Sequence, residues 1–158
     1  MQQTAITREG YERLNAELEQ LTSDGRRKMA ERLRSAAASA ANRIEDPEYL
    51  GAREDQGLLE RQIAVLQERL RSAEVVEPQL GNGRVDIGER VRLRNLESGE
   101  RLEVQLVGPI EADASAGRIS VVSPLGRAIV GARRGQITEV DAPRGRLRFK
   151  ILAVEAGD

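Results

Sequence analysis

Between Tyr11 and Ala73 the apolar residues return every three or four positions, and this period limits the fold more than any other feature of the chain. Tyr11, Leu14, Leu18 and Leu21 form one run, and Leu59, Ile63, Leu66, Leu70 and Ala73 form a second. Such spacing places one apolar stripe along a helix, the pattern of helices that pair side by side. Thr7 reads as the N-cap of the first helix. The register slips around Gly25, and Met29, Leu33, Ala36, Ala37 and Ala40 then resume a narrow apolar face. The run Ser-Ala-Ala-Ala-Ser-Ala-Ala over 35–41 favours helix and lets a neighbouring backbone come close. Pro47 has no place inside a helix and disfavours helix at Asp46 before it. The chain is therefore expected to turn between about Asn42 and Pro47, with a second helix over about 47–73. Two such helices joined by a short turn make an antiparallel coiled-coil hairpin, with arms of roughly 40–50 Å at ~1.5 Å per residue.

Beyond Val75 the pattern changes. Residues 1–75 hold four of the 15 glycines and one proline, whereas 76–158 hold eleven glycines and four prolines, so turns concentrate in the second half. Apolar residues there alternate: Val91 and Leu93, then Leu102, Val104 and Leu106 after the turn Glu97-Ser98-Gly99-Glu100. Ile119 with Val121, Ile137 with Val140, and Leu147, Phe149 and Ile151 extend the alternation. One short helix interrupts it, with Ser123 as N-cap, Pro124 at the first helical position and Gly131 as its stop. The expectation is an α+β chain of two domains. Residues 1–77 form the hairpin, with an acidic tip near 42–49, and 78–158 form an antiparallel sheet carrying one short helix.

Composition excludes several chemistries. Without cysteine there is no disulfide, thiolate metal site or cysteine nucleophile, and without histidine the usual general base near neutral pH is missing. Of 25 basic residues only Lys28 and Lys150 are lysine, so the cationic surface is built of guanidinium forks that suit carboxylate and phosphate. No apolar run approaches the ~18 residues of a membrane span and no signal-peptide core opens the chain. A cytoplasmic protein without a membrane partner is expected.

The net charge of −1 conceals segregation. Residues 26–43 set six cations, Arg34 and Arg43 among them, against Glu31 alone. Residues 45–55 set Glu45, Asp46, Glu48, Glu54 and Asp55 against Arg53. Residues 127–150 set seven cations against Glu139 and Asp141, with almost no aromatics interleaved, which disfavours stacking on single-stranded bases. Carboxylates crowded on a turn repel unless they meet a cation or a basic partner. Hard cations such as magnesium take such oxygens, often one or two carboxylates completed by water and phosphate. Asp46 and Glu48 also suit the positive N-terminus of the second helix, and both readings hold together.

Four segments carry a resemblance. These are Thr7-Arg8-Glu9-Gly10-Tyr11-Glu12-Arg13-Leu14, the stretch from Glu48 to Gly57, the stretch from Ser123 to Gly131, and Pro143-Arg144-Gly145. In order and spacing they resemble the bacterial Gre transcript-cleavage factors over essentially the whole chain. The resemblance implies a coiled-coil hairpin followed by an FKBP-like domain. It implies a partner, RNA polymerase, whose secondary channel admits the hairpin while the second domain docks near the channel rim. It implies no cofactor of the chain's own; the acids at the tip help hold the polymerase's second Mg2+ and orient the water that cleaves backtracked RNA at its 3′ end. The chain is then an accessory factor, not itself an enzyme, and a monomer, since its hairpin pairs internally.

Cleaving members carry Gly-Asp-Leu, a variable residue, then Glu-Asn-Ala-Glu-Tyr at the tip. Here Glu45 falls on the catalytic glutamate, Asn42 replaces the aspartate, Asp46 takes the asparagine position, and Glu48 and Tyr49 match. Glu45 and Asp46 are therefore the expected catalytic acids, with Glu48 joining them around the shared metal. Asn42, Arg43, Arg34, Tyr49, Ser123 and Pro124 are the expected contacts to RNA or polymerase. With an amide at 42, cleavage is expected to be weak or absent. The alternatives are a non-cleaving homologue that inhibits transcription by occupying the channel and, in another class, a coiled-coil structural adaptor. A free-standing peptidyl-prolyl isomerase is disfavoured, because such sites are lined with aromatics and the second domain offers only Phe149.

Overall fold

The computed structural model describes residues 3–39, 44–79 and 81–157. Its contacts resolve two compact units, one made of Met1–Tyr11 and Ala73–Asp158, the other of Glu12–Ser72.

The second unit is helical. Helix α1 (Arg8–Gln20) runs through a single π turn over Leu21–Gly25 into α2 (Arg26–Ser39), and α3 (Pro47–Ser72) returns. The slip expected at Gly25 is thus absorbed by one wide turn rather than a break. The Arg26 N–H donates to Leu21 O, five residues back. Thr22 and Ser23 hydroxyls donate to Leu18 O and Glu19 O at 2.8 and 2.7 Å. The helices α2 and α3 pack together, and ion pairs fix their antiparallel register: Arg26 meets Glu60 at 2.9 Å and Arg32 meets Asp55. Along the seam Leu14, Ala36, Ala52, Ile63 and Leu66 are buried. The pair register brings Ala36 and Ala52 to one level, where two small residues replace the leucines used elsewhere. The second helix ends at Ser72, and Ala73, expected inside it, opens a strand instead.

The first unit holds a five-stranded sheet in the order β5-β4-β3-β7-β6. Its strands are β3 (Arg90–Asn95), β4 (Arg101–Val107), β5 (Arg118–Ser120), β6 (Ile137–Ala142) and β7 (Gly145–Glu155). Val91, Leu93, Val104, Leu106, Phe149 and Ile151 point to one face, where Ile129 of the short helix α4 (Pro124–Ile129) joins them. Each of these side chains, once fully buried, stabilises the unit by about 1.5–3 kcal/mol. The α+β architecture is as expected, with two differences. The sheet is mixed rather than antiparallel, because β5 runs parallel to β4. Two short 3-10 turns, Pro109–Glu111 and Ala114–Ala116, carry the chain back to re-enter in the same direction. Ile137 faces solvent at 53% exposure, while Thr138 and Val140 are buried, since a strict period of two cannot seat both 137 and 140 on one face.

The segments just before and just after the helices meet in space. Strands β1 (Thr4–Ile6) and β2 (Ala73–Val75) pair in parallel, and Val76 N–H donates to Ile6 O at 2.9 Å. Both termini of the helical segment therefore belong with the sheet unit. A buried carboxylate secures the first: Glu111 accepts the Thr7 N–H at 2.6 Å and the Thr7 hydroxyl at 2.5 Å. Composition alone does not register this, because the link spans 104 residues.

Candidate functional site

The acidic turn is built by a helix start. Pro47 occupies the first position of α3, where its missing N–H costs nothing and its fixed φ suits the helix. Asp46 is the cap: its Oδ1 accepts the Tyr49 N–H at 2.9 Å, and its carbonyl accepts the Leu50 N–H at 3.0 Å. A carboxylate here also faces the positive end of the helix, worth about 0.3–1 kcal/mol at an exposed site. One oxygen of Asp46 is thus committed to the fold and the other is not.

Glu45 and Glu48 flank this cap, both exposed, and neither forms an ion pair among the described residues. Tyr49 is half-buried. The four expected tip residues Glu45, Asp46, Glu48 and Tyr49 therefore lie on one turn and the first turn of α3. Asn42 and Arg43 lie outside the described residues. No group of three acids converges to hold a metal among the described residues. The oxygens on this turn, two free carboxylates and the remaining Asp46 oxygen, are of the donor type that hard cations take together with water and other ligands. Ile44, beside Glu45, is 82% exposed. Sequence reasoning passed over it, and no periodicity could have found it, because it lies on a turn.

The basic run of the hairpin is less free than its composition suggests. Arg26 pairs with Glu60, Arg27 with Asp24 at 2.8 Å, and Arg32 with Asp55. The hydrogen bond to Glu60 and then its charge raise Arg26 further, and the same hydrogen bond holds the Glu60 carboxyl below its usual range. Arg34 and Lys28 are exposed and carry no ion pair among the described residues. Of the described cations in the run, those two are available to an anionic partner.

Ser123 and Pro124 lie elsewhere, on the sheet unit. The Ser123 Oγ accepts the Gly126 N–H at 3.0 Å and donates to Ser120 O at 2.7 Å, which caps α4 as its sequence implied. Pro124 follows, exposed. Both line an apolar groove of about 430 Å³ together with Leu125, Val140, Ala142 and Pro143. Gly126 is required here: a Cβ at this position would run into the Ser120 carbonyl. Val122 and Val130, 54% and 45% exposed, add apolar surface on the segment around α4. Among the described residues no helix is long and apolar enough to cross a membrane.

Two family models cover nearly the whole chain. "Transcription elongation factor, N-terminal" matches residues 4–75, and "Transcription elongation factor, GreA/GreB, C-term" matches 80–156. The transcription elongation factor GreA of Syntrophobacter fumaroxidans is 39% identical over 155 residues, covering 98% of this chain and 99% of that protein. GreA of Neorickettsia sennetsu is 40% identical over 160 aligned positions, covering 98% of each chain. Among solved structures, GreA factor homolog 1 (Gfh1) of Thermus thermophilus shares 31% identity over 98% of this chain and 100% of its own, with a TM-score of 0.44.

Proposed function

Because the chain belongs to the GreA/GreB family of transcription elongation factors, we propose that it binds RNA polymerase, enters the secondary channel with its helical hairpin and presents Glu45 and Glu48 at the catalytic centre. One observation carries this reading. The turn of an antiparallel helix pair exposes two unpaired carboxylates beside a third, Asp46, whose position is fixed by its cap. A magnesium ion held between factor and polymerase would supply the activated water and stabilise the leaving oxygen. The chain's own residues set the geometry. Asp46 and Pro47 fix the direction in which α3 starts, and so where Glu45 and Glu48 point. Arg34 offers a free cation to RNA phosphate or an acidic channel wall. The groove at Ser123 and Pro124 supplies an apolar seat at the rim.

The polymerase is then the enzyme, and this chain, acting as a single copy in the cytoplasm, is its accessory. The amide at Asn42 takes the acid away from that position and leaves the third carboxylate at Asp46. With one Asp46 oxygen engaged by the Tyr49 N–H, the same observation favours a second reading, in which the hairpin occupies the channel and slows nucleotide addition.

The test is RNA cleavage in a defined backtracked elongation complex with magnesium. Expected are few or no short 3′ fragments from the wild type and more from Asn42→Asp. Failure of Asn42→Asp to gain would place the limit in the turn around Pro47 rather than in the missing acid. No fragments, together with slowed nucleotide addition, would select the inhibitor. Absence of polymerase from a pull-down would overturn both and leave the adaptor. Charge reversal at Arg34 and Arg43 is expected to weaken engagement with backtracked complexes, and unchanged engagement would return that run to a solvated face.

A further inference from the structure

The turn Gly81-Asn82-Gly83, between β2 and β3, has no role in the reading above. These three residues and Arg84 after them are exposed. The Asn82 Oδ1 accepts the Arg84 N–H at 2.8 Å, and the ring so closed folds the side-chain amide back over the peptide that joins Asn82 to Gly83. The same bond polarises the amide carbonyl, since an N–H on that oxygen stabilises the negative charge it gathers when a nucleophile adds to the carbon. The adjoining nucleophile is unengaged: the Gly83 N–H makes no hydrogen bond among the described residues. Gly83 sits at a φ of 75°, and a Cβ there would meet nothing within 4 Å, so neither a side chain nor a neighbour crowds the approach.

Asn95 shows what is particular to this turn. Its Oδ1 likewise accepts the N–H two residues on, that of Glu97, at 2.9 Å. There, however, the next N–H in the chain, that of Leu96, donates to Arg148 O at 2.9 Å, and Leu96 brings a branched side chain. Asn95 is also half-buried. The same ring thus has a free nucleophile beside it at 82 and none at 95.

We propose that Asn82 is a site of covalent modification, at which the chain converts its own side-chain amide to an acid with water as the only co-reactant. The Gly83 nitrogen gives up its proton and bonds to the Asn82 Cγ. The Cγ–Nδ2 bond breaks, and Nδ2 leaves as ammonia with that proton, closing a five-membered cyclic imide. Water then opens the imide. Breaking the new N–Cγ bond gives aspartate at 82, and breaking the original peptide bond gives isoaspartate; nothing is oxidised or reduced. Proximity drives the step, because the attacking nitrogen and its target carbon are held together by the ring to Arg84.

The two products leave different structures. Aspartate keeps an oxygen for the Arg84 N–H and adds one negative charge. Isoaspartate routes the main chain through the side-chain methylene, so the ring opens. Val85, just beyond, is buried in the core of the sheet unit, where its N–H donates to Ala132 O and its carbonyl accepts the Gly131 N–H, both at 2.8 Å. Isoaspartate therefore loosens the entry to that core. This inference is independent of the polymerase reading and extends beyond it.

The test is to hold the purified full-length protein in neutral buffer at physiological temperature for several days and then digest it with trypsin. Peptide 72–84, released by cleavage after Arg71 and Arg84, carries Asn82 as its single asparagine. Mass spectrometry is expected to find this peptide replaced by two species, each heavier by the difference between an acid and an amide. An isoaspartyl O-methyltransferase with labelled S-adenosylmethionine is expected to methylate one of them. The peptide holding Asn95 is expected to remain an amide. Asn82→Gln keeps an amide but would have to close a six-membered ring, and it is expected to lose both species. After the same incubation the wild type should unfold at lower urea than Asn82→Gln, and a melt before incubation checks that the two start alike. An intact amide at 82 under conditions that convert a synthetic peptide of residues 72–84 overturns the proposal. Equal conversion at Asn82 and Asn95 overturns it too.

Discussion

Replacing glycine by alanine inside a helix ordinarily stabilises it by about 1 kcal/mol, and Gly10→Ala should do the reverse. Gly10 lies in the first turn of α1, where its N–H donates to Thr7 Oγ1 at 3.0 Å. A Cβ added there would lie 2.6 Å from the Glu111 Cδ and closer still to Oε1. The end of a glutamate normally swings aside cheaply. This one is buried, and it accepts the Thr7 N–H and the Thr7 hydroxyl. Moving it forfeits two hydrogen bonds to a charged group, at about 1.5–3 kcal/mol each. Set against at most about 1 kcal/mol of helix propensity, the net change is a loss of about 2–5 kcal/mol. Gly57 in α3 is the control: nothing lies within 4 Å of its added Cβ, so Gly57→Ala should gain about 1 kcal/mol. Urea unfolding of the full chain, followed by far-ultraviolet circular dichroism, compares the two midpoints. A Gly10→Ala midpoint that rises as Gly57→Ala does would refute the account of Glu111 as the anchor of this helix start.

Other expectations follow from neighbouring features. Asp46→Ala should cost about 1 kcal/mol by removing the α3 cap, whereas Asp46→Asn should cost little, and thermal melts of the two decide it. Gly126→Ala should destabilise the sheet unit by about 1–3 kcal/mol, because the added Cβ meets the Ser120 backbone, which cannot swing away; a neutral melt would count against the tight turn. Burial pushes the Glu89 carboxyl up; the N–H of Asp86 opposes this and the charge of Asp86 adds to it. Its native form holds the proton more tightly than the unfolded chain, so its contribution to stability falls as pH rises from the unfolded value of about 4.3 through the raised native one. Glu89→Gln keeps the acceptor for the Asp86 N–H, and should gain stability over wild type above that window and none below it, as urea midpoints across pH would read.

Where the fold was legible, one local rule sufficed. Periods of three and four placed α1, α2 and α3, and Ser123-Pro124 with Gly131 placed α4 to within a residue. Pairings that depend on distant residues were not legible. The parallel contact of β1 with β2 joins residues about seventy apart, and Glu111 reads in sequence as one more surface acid until Thr7 is found against it. The parallel β5 escaped because alternation reports a strand's faces but not its direction. Of the expected site residues, Glu45, Asp46, Glu48 and Tyr49 do share the turn. Within the basic run, composition counts every cation alike, whereas Glu60, Asp24 and Asp55 hold Arg26, Arg27 and Arg32 and leave Arg34 exposed.

The cap at Asp46 bears on how the turn should be interpreted. Asparagine and aspartate cap a helix about equally well, so the hydrogen bond to the Tyr49 N–H gives the fold little reason to prefer the acid. The preference from the helix dipole is about 0.3–1 kcal/mol at an exposed site. Most of what the second oxygen and the full negative charge do is therefore free of the fold, and Asp46→Asn removes that charge while keeping the cap. Against Asn42 the comparison is sharper. The resemblance read from the sequence implies an acid at 42 and an amide at 46, and this chain has the amide at 42 and the acid at 46, so against that pattern the turn keeps the same number of carboxylates. Fragment release that survives Asn42 but disappears in Asp46→Asn would mean that the moved acid does the work. Equal behaviour of the wild type and Asp46→Asn in backtracked complexes would mean that Asp46 serves as a cap alone, leaving Glu45 and Glu48 as the acids the turn can offer.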